Sequence, residues 1–210
     1  KKNITLVSSY THAHEIGEGP TLIGERINPT GKPKFKEALR QGDFDYILRE
    51  AIAEEEAGAD ILDVNVGLPD VDEKEMLYQS VCRIQEVCDL PLQLDSADPV
   101  AMERALRYYN GKAMINSVNG KAESMAAVFP LVKKYGGVVV CLTLDENGIP
   151  ETAEGRFAIA KKIYDEAARY GIEPKDLIFD PLAMSVGADK NAARETLRAV
   201  KLIGEELRCH

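Results

Sequence analysis

The sequence lacks the features of a nucleic-acid-binding protein and of a membrane protein. Its 210 residues include 26 Lys and Arg against 35 Asp and Glu, which gives a net charge of -9 at pH 7. Nucleic acids and anionic membrane surfaces bind clustered positive charge, so we expect neither partner. No apolar run approaches the ~20 residues that a membrane-spanning helix requires. Residues 1–7 also lack the long apolar core and the cleavage site of a signal peptide.

Cysteine and histidine are scarce, and neither residue forms a recognisable metal motif. The four cysteines fit no zinc or redox spacing, so we expect reduced, mostly buried thiols in a cytoplasmic protein: Cys82, Cys88, Cys141 and Cys209. His12 and His14 alternate along the chain and are a candidate metal pair. Because no third ligand lies nearby, we interpret this segment as a polar linker and predict no metal site.

The hydrophobic content is ordinary and the length suits one domain with a sizeable core. Hydrophobic residues make up 45% of the chain. Residues 1–18 are rich in Ser, Gly and polar residues, and are predicted to be an irregular N-terminal arm or linker. Residues 19–210 are predicted to form the folded domain.

Within that domain, short apolar runs alternate with stretches of helical periodicity. Strands are predicted at 22–25, 61–66, 92–95, 113–116, 138–143 and 177–180. Helices are predicted at 43–57, 73–88, 152–170 and 191–207. Two more are predicted in the middle of the chain: one begins with the N-cap Asp98 and Pro99, and the next ends at Gly136. Strict alternation of this kind predicts an α/β fold with a parallel sheet covered on both faces.

Two parallel architectures fit this alternation, an open doubly wound sheet and a barrel. A doubly wound nucleotide-binding sheet has a glycine-rich turn after its first strand, and Gly24-Glu25-Arg26-Ile27-Asn28 is not one. Almost every strand instead ends in its own polar residue, which is typical of a (β/α)8 TIM barrel. Because such a barrel has eight strands and ~250 residues, we expect one truncated after the sixth β/α unit.

The strand ends carry carboxylates and carboxamides. These candidate site residues are Glu25, Asn28, Asp63, Asn65, Asp95, Asn116 and Asp180. No histidine, cysteine or lysine stands among them, which argues against a nucleophilic triad or a Schiff-base lysine. A phosphate-centred site is disfavoured too, because it would use Gly, Lys or Arg.

Buried carboxylates cost free energy unless they accept hydrogen bonds, and a bound ligand could supply the donors. A flat heterocycle with a guanidine-like edge, such as a pterin or a guanine, donates side by side to one carboxylate. A divalent metal such as Mg²⁺ is the alternative ligand. Any one of these residues could instead cap a turn or satisfy backbone amides, although that explanation is weak for all of them together. The stretch Gly187-Ala188-Asp189-Lys190, after the sixth strand, is a candidate ligand loop.

Five motifs, taken in order, resemble the pterin-binding barrel of methyltetrahydrofolate-dependent methyltransferases. The nearest resemblance is to the folate module of cobalamin-dependent methionine synthase, followed by the corrinoid iron–sulfur protein methyltransferases. It extends over about residues 18–208. The motifs are Gly24-Glu25-Arg26-Ile27-Asn28-Pro29-Thr30-Gly31, Leu62-Asp63-Val64-Asn65-Val66-Gly67, Leu94-Asp95-Ser96, Met114-Ile115-Asn116-Ser117 and Phe179-Asp180-Pro181.

The resemblance implies a role for each site residue. Asp95, Asn116 and Asp180 would hold the pterin edge, and Glu25 and Asn28 would line the same pocket. Asp63 and Asn65 would lie beneath the ring or touch it. The methyl group on N5 of methyltetrahydrofolate would pass to a cobalamin or other corrinoid supplied by a partner domain or protein. The asparagine that activates N5 in the family lies on a seventh strand, so no catalytic residue is assigned here.

The resemblance also leaves alternatives open. A homocysteine-binding module N-terminal to this chain is implied if the parent is a methionine synthase. A dihydropteroate synthase-like enzyme shares the barrel and the pterin, but its pyrophosphate would require Lys or Arg near the site. A fragment that only binds is the third possibility. Open sheet edges in a six-stranded barrel also predict self-association.

Overall fold

The chain folds as alternating strands and helices, as the sequence predicts. The computed structural model describes residues 4–183 and 191–210, so the candidate ligand loop at 187–190 lies outside the described residues. The strands are β1 (Thr5–Ser8), β2 (Ala13–Ile16), β3 (Ile23–Ile27), β4 (Ile61–Val64), β5 (Leu92–Asp95), β6 (Met114–Asn119), β7 (Val138–Leu142) and β8 (Leu177–Asp180). The helices are α1 (Pro33–Gln41), α2 (Phe44–Glu56), α3 (Glu73–Val87), α4 (Pro99–Tyr108), α5 (Ala122–Tyr135), α6 (Ala153–Arg169) and α7 (Ala192–Leu207).

The strands β3 to β8 belong to one six-stranded parallel sheet and follow each other in chain order. A helix follows each of these strands, which is the β/α repeat that parallel neighbouring strands require. The described residues fall into two compact units. One comprises mainly residues 4–116, and the other comprises mainly 117–134 and 138–210.

In the unit of residues 4–116, apolar strands are covered by the apolar stripes of three helices. Every residue of β4 is buried, as are Ile47 and Ala51 on α2 and Leu77 and Val81 on α3. Burying one such side chain contributes about 1.5–3 kcal/mol, so these stripes fix the helices against the sheet. Three aspartates cap α2, α3 and α4 by accepting a main-chain N–H of the first turn: Asp43, Asp72 and Asp98.

In the second unit, β7 and β8 pair in parallel and α6 packs against α7. Thr152 caps α6 by accepting from Gly155 N. Arg156 of α6 is 2% exposed. Its Nε donates to Pro150 O at 2.9 Å and its Nη1 donates to Thr196 Oγ1 at 2.7 Å, so the buried guanidinium ties α6 to α7.

Residues 5–8 and 13–16 of the N-terminal segment form strands, so the expectation of an irregular arm was wrong for them. β1 and β2 form an antiparallel hairpin in which Ser8 is paired with Ala13. The Tyr109 hydroxyl donates to Ser8 O at 2.8 Å and accepts from Leu92 N at 2.9 Å. Val7 is fully buried, so the hairpin is part of this unit's packing. Helix α1 was also not predicted. It spans Pro33–Gln41, and the following Gly42, with a φ of 64°, provides a left-handed cap.

All four cysteines are free thiols, and three of them are buried, as expected from their spacing. Burial raises the pKa of Cys88 to about 12 and that of Cys209 to about 11, which makes these thiols poor nucleophiles. In the part of the chain that the structure describes, no helix is both long and apolar enough to cross a membrane.

Candidate functional site

Six of the seven predicted site residues lie in the unit of residues 4–116, and strand register brings them together. Asp63 is paired with Gln93 across β4 and β5, and Asp95 is paired with Asn116 across β5 and β6. Side chains two residues apart point to the same face of a strand. Gln93 and Asp95 therefore share a face with Asp63, Asn65 and Asn116.

Asp63 occupies the deeper part of this face and is 2% exposed. Its Oδ1 accepts from Gln93 Nε2 at 2.5 Å. Burial raises the pKa of Asp63 to about 7, because a charged carboxylate loses its hydration there. The hydrogen bonds of Gln93 and Asn116 oppose that rise, and the nearby charges of Asp95 and Glu25 add to it.

Asp95 lies nearer the strand ends and is held by Asn65. Asn65 Nδ2 donates to Asp95 Oδ2 at 2.8 Å, and Asn65 Oδ1 accepts from Gly67 N at 3.0 Å, so the carboxamide is fixed in both directions. Burial raises the pKa of Asp95, and the charges of Glu25 and Glu73 raise it further. No group within residues 4–183 or 191–210 donates to Asp95 Oδ1, so this oxygen is available to a ligand.

The first strand contributes a second pair of side chains. Asn28 Nδ2 donates to Glu25 Oε1 at 3.1 Å. Asn28 Oδ1 accepts from Thr30 N at 2.9 Å, which anchors the turn after β3. Asn28 is 9% exposed, whereas Glu25 is exposed and is the more accessible of the two.

The cluster is rich in carboxylates without matching cations. Among the described residues, no lysine or arginine side chain forms an ion pair with Glu25, Asp63, Glu73 or Asp95. Uncompensated carboxylates raise one another's pKa and attract donors or positive charge. This arrangement can therefore bind a ligand edge that carries several N–H groups. Within the same residues, no group of three His, Cys, Asp or Glu is arranged to hold a metal ion.

The structure adds three residues that sequence reasoning missed. Gln93 binds Asp63, and its position two residues before Asp95 was the signal that could have revealed it. The Ser96 hydroxyl donates to Glu73 at the start of α3, beside Asp95. A side chain at Gly67 would crowd this carboxylate, because its Cβ would lie 3.3 Å from Glu73 Oε2. Only tertiary packing brings Glu73 here, and the sequence carries no signal for it.

Asp180, the seventh predicted residue, belongs to the other unit and ends β8. Its main-chain oxygen accepts from Thr143 N at 3.1 Å, which continues the pairing of β7 with β8. Its Oδ1 accepts from Leu182 N at 2.7 Å. Leu182 has a φ of 61°, a left-handed conformation that is uncommon for a leucine. The carboxylate thus stabilises a strained turn at the strand end.

The fold and the strand ends define a parallel β/α protein in which carboxylates and carboxamides stand at the ends of the strands. The chain belongs to the pterin binding enzyme family, whose sequence model matches residues 24–210. This confirms the family inferred from the five motifs.

Relatives of known activity are similar over most of the chain. The methylcorrinoid:tetrahydrofolate methyltransferase of Eubacterium limosum is 30% identical over 173 residues, which are 81% of this chain and 64% of that protein. The methionine synthase of Mycobacterium tuberculosis is 30% identical over 190 residues, which are 86% of this chain and 16% of that protein. The chain therefore spans less than two thirds of the length of either relative.

Solved structures with the same fold include dihydropteroate synthases. The enzyme of Xanthomonas albilineans, solved with 4-aminobenzoic acid, superposes with a TM-score of 0.67 at 18% identity. The match covers 96% of this chain and 71% of the enzyme's chain. The enzyme of Yersinia pestis gives a TM-score of 0.66 at 13% identity, and the match covers 98% of this chain and 73% of the enzyme's chain. These likenesses confirm the predicted β/α fold of the pterin-binding type, and residues 4–183 with 191–210 form six β/α units of it.

Proposed function

We propose that this chain binds methyltetrahydrofolate and presents its N5-methyl group for transfer to a corrinoid carried by another domain or protein, in methionine synthesis. The observation that carries the proposal is the fixed Asp95 carboxylate, with one oxygen held by Asn65 and the other available. A pterin edge has adjacent N–H donors, and they match a carboxylate held in one orientation. The named activities of the relatives from Eubacterium and Mycobacterium support the same reaction class.

Each side chain has a separate task in this proposal. Asp95 and Asn116 hold the pterin edge, as does Asp180 by resemblance to the family. Glu25 and Asn28 line the pocket. Asn65 orients Asp95. Asp63 supports the ring from below and is itself held by the hydrogen bonds that it accepts from Gln93 and Asn116.

The chemical demand of the reaction falls on the leaving nitrogen. A tertiary amine leaves poorly, so N5 must gain a proton or a hydrogen bond as the methyl group departs. The residues above orient the ring before that step, and orientation alone contributes several kcal/mol to such transfers. The reduced corrinoid supplies the nucleophile that accepts the methyl group. No residue of this chain is assigned to hold it.

The test is a calorimetric titration of the chain with methyltetrahydrofolate. We expect binding by the wild type and at least about tenfold weaker binding by Asp95→Ala, because a charged hydrogen-bond partner contributes about 1.5–3 kcal/mol. The matched control is Asp70→Ala, which removes an exposed carboxylate paired with Arg40 at 2.7 Å. Absence of binding, or binding undisturbed by Asp95→Ala and Asp180→Ala, would refute the pterin assignment.

A second measurement separates an enzyme from a fragment that only binds. The chain is mixed with methyltetrahydrofolate and cob(I)alamin, and the spectrum is followed for methylcobalamin. Formation of methylcobalamin that depends on Asp95 supports the methyltransferase. Tight binding without any methyl transfer identifies a binding fragment.

A further inference from the structure

The first strand of the sheet contains one extra residue beside the site. Gly24 is paired with Leu62 of β4 and Ile27 is paired with Val64, so three steps along β3 match two steps along β4. Residues three apart in a regular strand point to opposite faces. The extra residue shifts this alternation by one position, so Glu25 and Asn28 lie on the same face. Their side chains are hydrogen-bonded at 3.1 Å.

The extra residue frees a main-chain donor, and a helix supplies the acceptor. Arg26 N donates to Glu54 Oε1 at 2.8 Å. Glu54 lies on α2, on the buried stripe that begins with Ile47 and Ala51. It is 5% exposed, and within the described residues its Oε2 is buried without a hydrogen-bond partner. A buried carboxylate with a hydrogen bond to only one of its oxygens lowers the stability of the folded state, so a structural or functional role would explain why Glu54 is present.

The strand is shaped to admit this carboxylate. A methyl group on Gly24 would lie 2.6 Å from Glu54 Oε1 and 2.7 Å from its carboxyl carbon, closer than any real contact. Glycine at 24 therefore leaves the space that Glu54 fills. Burial raises the pKa of Glu54, and the charge of Arg26 opposes that rise.

We propose that Glu54 is a positioning residue which holds the extra residue of β3 in place, and so keeps Glu25 and Asn28 together on the ligand-binding face. Glu54 touches no ligand and acts through the Arg26 N–H. Its effect on the ligand rests on the proposed function, whereas its effect on the strand does not.

The first arm of the test needs no ligand. Hydrogen exchange at the Arg26 amide is measured in the full chain for the wild type, Glu54→Gln, Glu54→Ala and Glu56→Ala. We expect exchange at least about tenfold faster in Glu54→Ala, because its acceptor is gone. Glu54→Gln keeps an acceptor oxygen and should restore slow exchange. Glu56 is exposed on the same helix, so Glu56→Ala should exchange as the wild type does. Unchanged exchange in Glu54→Ala overturns the proposal.

The second arm uses a substitution that displaces Glu54 without removing it. Gly24→Ala should accelerate exchange at Arg26 as Glu54→Ala does, because the new methyl group pushes the carboxylate away. In the Glu54→Ala background the same substitution should add nothing, because no carboxylate remains to be displaced. Additive effects of the two substitutions overturn the proposal.

The third arm is a double-mutant cycle on methyltetrahydrofolate binding. Glu54→Ala should weaken binding about tenfold in the wild-type background and leave it unchanged in the Glu25→Ala background, because Glu54 acts through the position of Glu25. General destabilisation would lower affinity equally in both backgrounds, and that result overturns this inference alone. Failure of the wild type to bind refutes the proposed function and this effect on binding, while the exchange arms still decide the effect on the strand.

Discussion

Ionisation of the buried Asp63 carboxyl is unfavourable in the folded state, although two neighbouring side chains donate hydrogen bonds to it. Two carboxamides donate to it, from Gln93 and Asn116, yet burial outweighs both and raises its pKa to about 7. In an unfolded chain the same carboxyl has an ordinary pKa near 3.8. The folded state therefore binds the proton more tightly, and stability falls as pH rises from about 4 through 7.

This difference predicts a pH-dependent effect of Asp63→Asn. Between pH 5 and pH 8 the wild type should lose roughly 3 kcal/mol of stability from the ionisation of Asp63, at about 1.4 kcal/mol for each pH unit between 5 and its folded pKa of about 7. The variant cannot ionise there, so its stability relative to the wild type should improve by that amount as pH rises. Urea denaturation of both chains at pH 5 and pH 8 measures the difference.

The control for this measurement is Glu86→Gln, which neutralises an exposed carboxylate on α3. Its denaturation midpoint should follow the wild type at both pH values. A constant offset between Asp63→Asn and the wild type across the pH range would contradict the raised pKa of Asp63.

Among the elements, the N-terminal hairpin depends on a close approach that only glycine allows. Gly111 has a φ of 154°, and a methyl group there would lie 2.1 Å from Ser8 O and 2.8 Å from Ser8 C. These are main-chain atoms, so the contact cannot be relieved by turning a side chain. Ser8 N also donates to Lys112 O at 2.9 Å, which fixes the hairpin against this turn.

Gly111→Ala should therefore destabilise the chain by about 1–3 kcal/mol, the range for a strained backbone position that must shift. Gly19→Ala is the matched control. A methyl group at 19 meets nothing within 4 Å, so its effect should be within about 0.5 kcal/mol. Urea denaturation measures both. Equal stability of the two variants would show that the hairpin is not held at Gly111.

Elements with strong local signals were predicted closely, and those that depend on distant contacts were not. Asp98 and Pro99 begin α4 as predicted, because a cap and a first-turn proline act within a few residues. The hairpin was missed because its strands have four residues each and gain stability from the remote residues Tyr109 and Lys112. Local composition contains no trace of those partners.

For the molecule as a whole, periodicity predicted the class of fold, and the strand ends predicted polar residues that strand register brings together on one face of the sheet. The networks that tune the site were not. Gln93 pairs with Asp63 through strand register, and Glu54 reaches Arg26 from a helix 28 positions further along the chain. Such contacts are set by tertiary packing, which side-chain type alone does not encode.

The sheet and the last helix together predict self-association of the whole chain. β3 and β8 are the end strands of the parallel sheet, and end strands pair readily with other chains. On α7, Leu197 is 71% exposed and Val200 is 52% exposed, three positions apart on one helix face. We expect light scattering to give a mass above that of the monomer, rising with protein concentration. Leu197→Glu with Val200→Glu should lower it, whereas Glu206→Gln, an exposed change on the same helix, should not. A monodisperse monomer at all concentrations would contradict the prediction.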